Sequence, residues 1–384
     1  MARYNGNYDD GFLFDRPREV IEFTSRSKVY DRQLAISVTP DATGSKLAIA
    51  GNVSSDAYGI VSWAGEAEIM IKSRGVVDAE TGVQLGGTDQ WLFNYGSITS
   101  DLYGVVVEGS ATDVVNEGRI SASIGVSVLG DVNLVNGSHG RIVAQDAGVL
   151  VAGSASSSAQ LLNRGSIVCD KYAVIGGSSN DIVTNRGRIV GDIDLGGGQD
   201  LFDGRRGTVT GTVKGNDGDD RYVIDDARIG IMEYHDGGAD VVVTSVNYHL
   251  PANLENLFLS GRKNLVGHGN DDDNAVAGNK GDNVLFGHEG VNILLGFGGN
   301  DRLVGGSQQD TFVFASGYGR DTIENFQDGV DLITATYWYE FEDLADMLDH
   351  ARDVKGDVVI SHGRDRLIIE NISTTQLDAT DFTS

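Results

Sequence analysis

The chain has 384 residues, with 56 acidic and 29 basic side chains and a formal net charge of −27. That balance excludes nucleic acid as a partner, because phosphates recruit Lys and Arg, and it excludes docking on anionic membranes. Two readings of the acidity remain: a surface kept soluble by charge, or carboxylates that await a cation, since clustered like charge opposes the compact state until it is neutralised.

Glycine is abundant at 53 residues and proline scarce at 3, which fits tight turns repeated along an ordered chain rather than a disordered one. The single cysteine, Cys169, follows Ile167 and Val168 and reads as a small buried side chain, so no intramolecular disulfide forms and metal is the obvious staple. No run approaches the ~20 apolar residues of a membrane span. Residues 1–44 read as an N-terminal cap segment. Met1 to Val20 is polar and acidic, with no apolar stretch of the kind a cleaved signal peptide needs, so none is expected.

From residue 45 to 225 a motif Asn-x-Gly-x-Ile recurs about every 22 residues. Its copies start at Asn94, Asn116, Asn163 and Asn185, and a stretched copy runs from Asn136 to Ile142. The closing apolar residues fall at 76, 98, 120, 142, 167, 189 and 209. A second mark, Gly-Val, keeps the same beat at Gly82, Gly104, Gly125 and Gly148. Short alternating segments punctuated by Gly and Asn read as strands and turns. About 22 residues suit one coil of a β-helix, with coils stacked at ~4.8 Å. The Ile/Val column then forms the core, and stacked Asn side chains bond to one another as a ladder. A β-sandwich has similar strand spacing but does not repeat a residue motif in register.

At the end of this stretch Asp181, Asp200 and Asp220 are spaced 19 and 20 apart, near one coil. Asp200 and Asp220 are therefore candidate metal ligands, against the plainer reading of a solvated acidic turn. Residues 226–265 read as connecting strands.

Residues 266–314 carry a shorter repeat. Gly269, Gly278, Gly287, Gly296 and Gly305 are nine apart. Position six of each nonad is Asn274, Asn283, Asn292, Asp301 and Asp310, and position eight is Val276, Leu285, Leu294, Leu303 and Phe312. This resembles G-G-x-G-x-D-x-U-x, the calcium-binding pattern of the hemolysin-type RTX family, over roughly residues 195–384. The resemblance implies a parallel β-roll with two nonads per turn. Each calcium ion would sit between position-six residues eighteen apart: Asn274 with Asn292, Asn283 with Asp301, and Asn292 with Asp310. Calcium takes six to eight hard oxygens, and Asn offers oxygen without charge. The Asp301 and Asp310 sites are thus expected to bind best and the Asn274 site to be weak or empty. Gln308 and Asp272 stand where the family has Gly, and Asp271 to Asp273 supply compensating charge.

Residues 315–384 read as a C-terminal cap. Strands are expected at Asp321–Phe326, Asp331–Ile333, Asp357–Ile360 and Leu367–Ile369, and an amphipathic helix over Glu340–Asp353. This region is similar to the C-terminal end of serralysin-like RTX proteins. That likeness implies an uncleaved type I secretion signal, a bacterial type I secretion apparatus as partner, and a secreted chain that folds on meeting extracellular calcium.

Motifs for catalysis are sparse. His288-Glu289-Gly290-Val291-Asn292 begins like a zinc-protease motif but lacks its second His. The seven histidines show no ligand spacing and read as exposed turn residues. Arg164, Arg186, Arg188 and Asp192 are candidates for a charged strip along consecutive coils, of the kind β-helix polysaccharide lyases and epimerases use, or are ordinary solvated turns. The expected fold is all-β: a right-handed parallel β-helix followed by an RTX parallel β-roll with a small α+β C-terminal cap. The expected function is that of a secreted calcium-binding surface, matrix or adhesion component facing extracellular polysaccharide or a cell surface. The alternative is a carbohydrate-active β-helix enzyme.

Overall fold

A computed structural model of the chain describes residues 1–152, 158–338, 341 and 344–383. Among these, everything regular is β except one α-helix, Leu344–Asp349, and two 3-10 turns. The chain divides into two compact units. One comprises Met1–Gly218 with Ile229–Ile231, and the other Asp219–Arg228 with Met232–Ser384.

The first unit is a parallel solenoid. Strands Trp91–Asn94, Thr112–Asn116, Val132–Asn136, Ala159–Asn163 and Ile182–Asn185 pair in chain order without a register slip. Each ends on the Asn of the repeat, so Asn94, Asn116, Asn136, Asn163 and Asn185 form one column, all at most 1% exposed. Every Asn amide donates to the next Asn Oδ1 at 2.8 Å, and Asn185 closes the ladder on the Thr208 carbonyl at 3.0 Å. Burying five primary amides costs little here because each finds its partner one coil away.

A second sheet holds the longer strands Val76–Leu85, Ser97–Val107, Arg119–Val128, Arg141–Val151, Ser166–Ile175 and Arg188–Gly197. Each carries two buried columns. The first runs Val77, Ile98, Ile120, Ile142, Ile167, Ile189, and the second Val83, Val105, Val126, Val149, Val174, Ile193. One expectation is corrected: Val77, not Val76, stands in register with Ile98, because Val76 pairs with Ser97 and faces away from the core. The repeat glycines are required by close approach. A Cβ on Gly118, Gly165 or Gly187 would lie 2.2 Å from a carbonyl oxygen of the coil before. At the N-terminal end, Tyr4, Phe12 and Phe23 pack with Tyr8, mostly edge to face, over the first coil.

The second unit is also parallel but has shorter coils. Strands Ala275–Ala277, Ile293–Leu295 and Thr311–Ala315 pair in one sheet, and Val266–His268, Val284–Phe286, Arg302–Val304 and Arg320–Glu324 in another. Partners are 18 to 20 residues apart, so two nonads make one turn. The position-eight residues Val276, Leu285, Leu294, Leu303 and Phe312 are at most 1% exposed and form the core, each stabilising the roll by roughly 1.5–3 kcal/mol relative to an exposed side chain.

Beyond the roll, strand Asp365–Ile369 continues the second of these sheets in parallel, and Asp357–His362 and Ala351–Val354 extend it antiparallel. The expected helix over 340–353 is therefore shortened: Leu344–Asp349 is helical, Ala351–Val354 is a strand, and Glu340, Glu342 and Asp343 lie outside the described residues. The reason is the turn at Lys355-Gly356, where both residues have positive φ, 60° and 104°. That backbone makes a two-residue hairpin and draws 351–354 onto the edge of 357–362.

Candidate metal centre

In the roll, each position-six side chain sits where the chain leaves a turn and enters a strand. The backbone N–H of that residue has its partner one turn further on. Asn274 N donates to Asn292 Oδ1 at 3.0 Å, Asn283 N to Asp301 Oδ1 at 2.7 Å, and Asn292 N to Asp310 Oδ1 at 2.9 Å. The three pairs eighteen residues apart are thus brought together. The series runs on beyond the nonapeptides, as Asp301 N donates to Asp321 Oδ1 at 3.0 Å and Asp310 N to Asp331 Oδ1 at 2.9 Å. In the sequence Asp321 and Asp331 read as strand residues of a cap. The available signal was Asp-x-Ile at Asp321–Ile323 and Asp331–Ile333, which repeats the spacing from position six to position eight. Two columns result: Asn283, Asp301, Asp321 and Asn274, Asn292, Asp310, Asp331, all at most 3% exposed.

The second polar atom of each side chain separates these positions. Asn274 Nδ2 donates to the Leu254 carbonyl at 2.9 Å, while Asn270 Nδ2 donates to the same carbonyl and to that of Pro251. Asn279 and Asn283 both direct amides at the Lys263 carbonyl, and Asn292 Nδ2 reaches the Glu289 and Gly290 carbonyls. In these turns an amide N–H stands against the carbonyl oxygens that a cation would otherwise attract. Asp310 and Asp331 place their second oxygens on the Gly306 and Gln327 N–H groups. Asp301 and Asp321 differ. Oδ2 of each is buried and has no hydrogen-bond partner.

Electrostatics follow from this. Burial pushes Asp301 up to about 7, partly offset by the Asn283 N–H, with Asp282 adding repulsion. Burial likewise pushes Asp321 up to about 8, against the Asp301 N–H, with the charges of Asp301 and Asp365 adding to the rise. Two buried carboxylates one turn apart, each with an unpartnered oxygen, are a donor set suited to a hard divalent cation.

Other expected residues fall as follows. Asp200 is buried in the first unit and takes the Asp181 N–H at 2.6 Å, while Asp220 lies in the second unit and gives its N–H to Asp240 Oδ1 at 2.8 Å. Asp273 takes the Val291 N–H at 2.6 Å, and Gln308, where glycine was expected, takes the Gly290 N–H at 2.8 Å through its side-chain carbonyl. Arg186 is engaged by Asp203, which also binds Arg205. Burial raises the Asp203 carboxyl, but the hydrogen bonds from Arg205 and Arg186 outweigh it and hold the group well below the usual carboxylate range.

The histidine reading is corrected. His139 and His235 are exposed, but His249 and His268 stack at 4.0 Å between ring centroids, and His268 stacks on Phe286 at 4.5 Å. His268 Nδ1 and His288 Nε2 share a hydrogen bond at 2.9 Å. The three histidines are 19 and 20 residues apart, one coil each, the same spacing that singles out Asp181, Asp200 and Asp220 in the sequence.

Solenoid coils leading into glycine turns with buried carboxylates define a calcium-binding repeat protein of parallel-β construction. In particular, the model of the RTX calcium-binding nonapeptide repeat matches residues 268–296 and 278–312, with four copies, so this segment carries RTX repeats and their metal is calcium. No curated protein matches the chain in sequence. Among solved structures it is similar to the extracellular lipase LipA from Serratia marcescens, at 16% identity and a TM-score of 0.28, over 61% of this chain and 41% of the lipase. The chain thus spans less than half of that lipase, and a likeness this slight bears on neither its fold nor its activity. Among the described residues no helix is long and apolar enough to cross a membrane.

Proposed function

We propose that the chain is a secreted, extracellular calcium-binding protein of non-catalytic character, a surface, matrix or adhesion component that folds on calcium after export by a type I apparatus. The observation that carries this reading is the pair of buried Oδ2 atoms of Asp301 and Asp321, which lack any protein donor. Asp301 with Asp321 is the leading site and Asp310 with Asp331 the second. Asn292 adds no oxygen to the Asp310 turn, because its Oδ1 takes the Asn274 N–H and its amide donates to Asp310 Oδ1. Asn274 and Asn283 are the weakest, because their turns already satisfy themselves with amide donors. Asp200 and Asp220 remain flanking candidates. When bound, the ion supplies the positive charge that these carboxylates lack.

In a cell interior poor in calcium, carboxylates repel and the roll stays loose enough for export. Outside, calcium at the roughly 10⁻⁴–10⁻³ M level that suits extracellular modules drives folding by mass action. The Asn-laddered solenoid then offers a rigid surface toward polysaccharide or a cell surface. The test is a far-UV circular dichroism titration of the full chain from chelator to ~10 mM calcium. A cooperative gain of β signal at about 0.1–1 mM is expected. An unchanged spectrum would remove calcium-driven folding from the account.

A further inference from the structure

We propose that Asp220, Glu233 and Asp240 form an additional calcium site, fully buried and outside the nonapeptide repeats. Their placement follows from the coil. Asp220 immediately precedes strand Arg221–Ile224, and Asp240 immediately precedes strand Val241–Thr244. Those strands pair with Arg221 opposite Val241, so the two aspartates stand one turn apart in the same column. Glu233 enters from the turn between them. The three are 1%, 4% and 1% exposed.

The dimensions suit calcium. One carboxylate oxygen from each residue lies within 4.8 Å of the others. Ligands on opposite sides of a calcium ion, at about 2.3–2.6 Å each, stand about 4.6–5.2 Å apart, whereas the shorter bonds of magnesium, about 2.0–2.1 Å, demand a smaller cage and several waters.

The charges demand a cation. Asp240 accepts the Asp220 N–H on Oδ1, but its Oδ2 is buried without a partner. Its own N–H goes to Glu255 Oε2 at 2.7 Å, which brings a fourth carboxylate alongside. The charges that bear on Asp240 are those of Glu255 and Asp219, both acidic. Tyr222, itself fully buried, donates its hydroxyl to Glu233 Oε1, which leaves Glu233 an acceptor. The charges that bear on Tyr222 are Glu233, Asp220 and Asp240. Grouped carboxylates in a low-dielectric interior are retained only with a counter-charge or a bound proton, and divalent calcium supplies the charge through oxygens alone.

The site does not rest on the nonapeptide reading, and the experiment separates the two. Calcium bound per chain is counted by equilibrium dialysis on full-length protein, and terbium, a trivalent stand-in for calcium, is followed by emission excited through tyrosine. Asp240→Asn and Glu233→Gln are each expected to bind one calcium fewer than the parent. Asp240→Asn keeps the Oδ1 that holds the Asp220 N–H, so its fold is retained, which circular dichroism checks. Tyr222→Phe is expected to keep the parental calcium count while losing the terbium emission that this tyrosine feeds. A double Asp301→Asn/Asp321→Asn variant keeps that emission. Parental calcium counts in both carboxylate variants overturn the proposal and leave the cluster sharing protons. Should Glu233→Gln fail to fold, parental terbium emission in Tyr222→Phe overturns it equally.

Discussion

Asn283 and Asp301 occupy equivalent positions one turn apart and differ only in an amide against a carboxylate oxygen. In Asn283 the amide turns toward the Lys263 carbonyl, whereas Oδ2 of Asp301 meets no donor. Replacing Asp301 or Asp321 by Asn is expected to weaken calcium binding at that edge by about tenfold or more, the ordinary consequence of lowering ligand charge, and isothermal titration calorimetry reads it directly. The reverse change, Asn283→Asp, is expected to tighten calcium binding and to lower the melting temperature of the chelated protein, because a third buried carboxylate joins the column. A second titration belongs to His268. Burial, with His249 and His288 adding, depresses it to about 4. The unfolded chain therefore takes up that proton first as pH falls from ~6.5, so stability present above that pH is lost progressively on acidification toward about 4. Melting temperatures of His268→Phe should fall less over this window than those of the parent.

Elements in this molecule are held by columns. The asparagine ladder was legible in the sequence, since Asn-x-Gly-x-Ile at a 22-residue beat leaves a stacked amide few other places to go. Asn116→Ala removes both a donor and an acceptor from the middle of it. Leaving their buried partners unmatched should cost roughly 2–4 kcal/mol, seen as a lower urea midpoint. The histidine stack was missed although its spacing of 19 and 20 residues equals that of Asp181, Asp200 and Asp220, because no contiguous motif joins its members. The C-terminal hairpin was misread for a local reason. Residues 340–353 have helical patterning, but a strand edge within reach satisfies Ala351–Val354 better than a continued helix does.

Over the whole molecule the two units carry different kinds of polar interior. Residues 94–185 bury neutral amides that complete one another, while the roll buries carboxylates that do not. Chelation should thus loosen amides of the roll first and leave the laddered strands protected. Hydrogen exchange with and without calcium checks this order, and uniform loss of protection in both would show a single cooperative unit instead.

What the sequence by itself determined is the period. Asn, Gly and apolar residues at 22, and Gly, Asn or Asp and apolar residues at 9, dictate stacked coils, a continuous core and turns rich in oxygen, because only parallel stacking lets identical side chains satisfy one another. What the tertiary structure alone decided is which oxygens remain unsatisfied. Asp301 and Asp321, like Asp240, keep a buried Oδ2 without a donor, whereas the same oxygen of Asp310 and Asp331 takes the N–H of Gly306 and Gln327. Those donors lie only four residues away, but whether the turn brings its N–H onto the oxygen is set by the folded turn and not by the residue pattern.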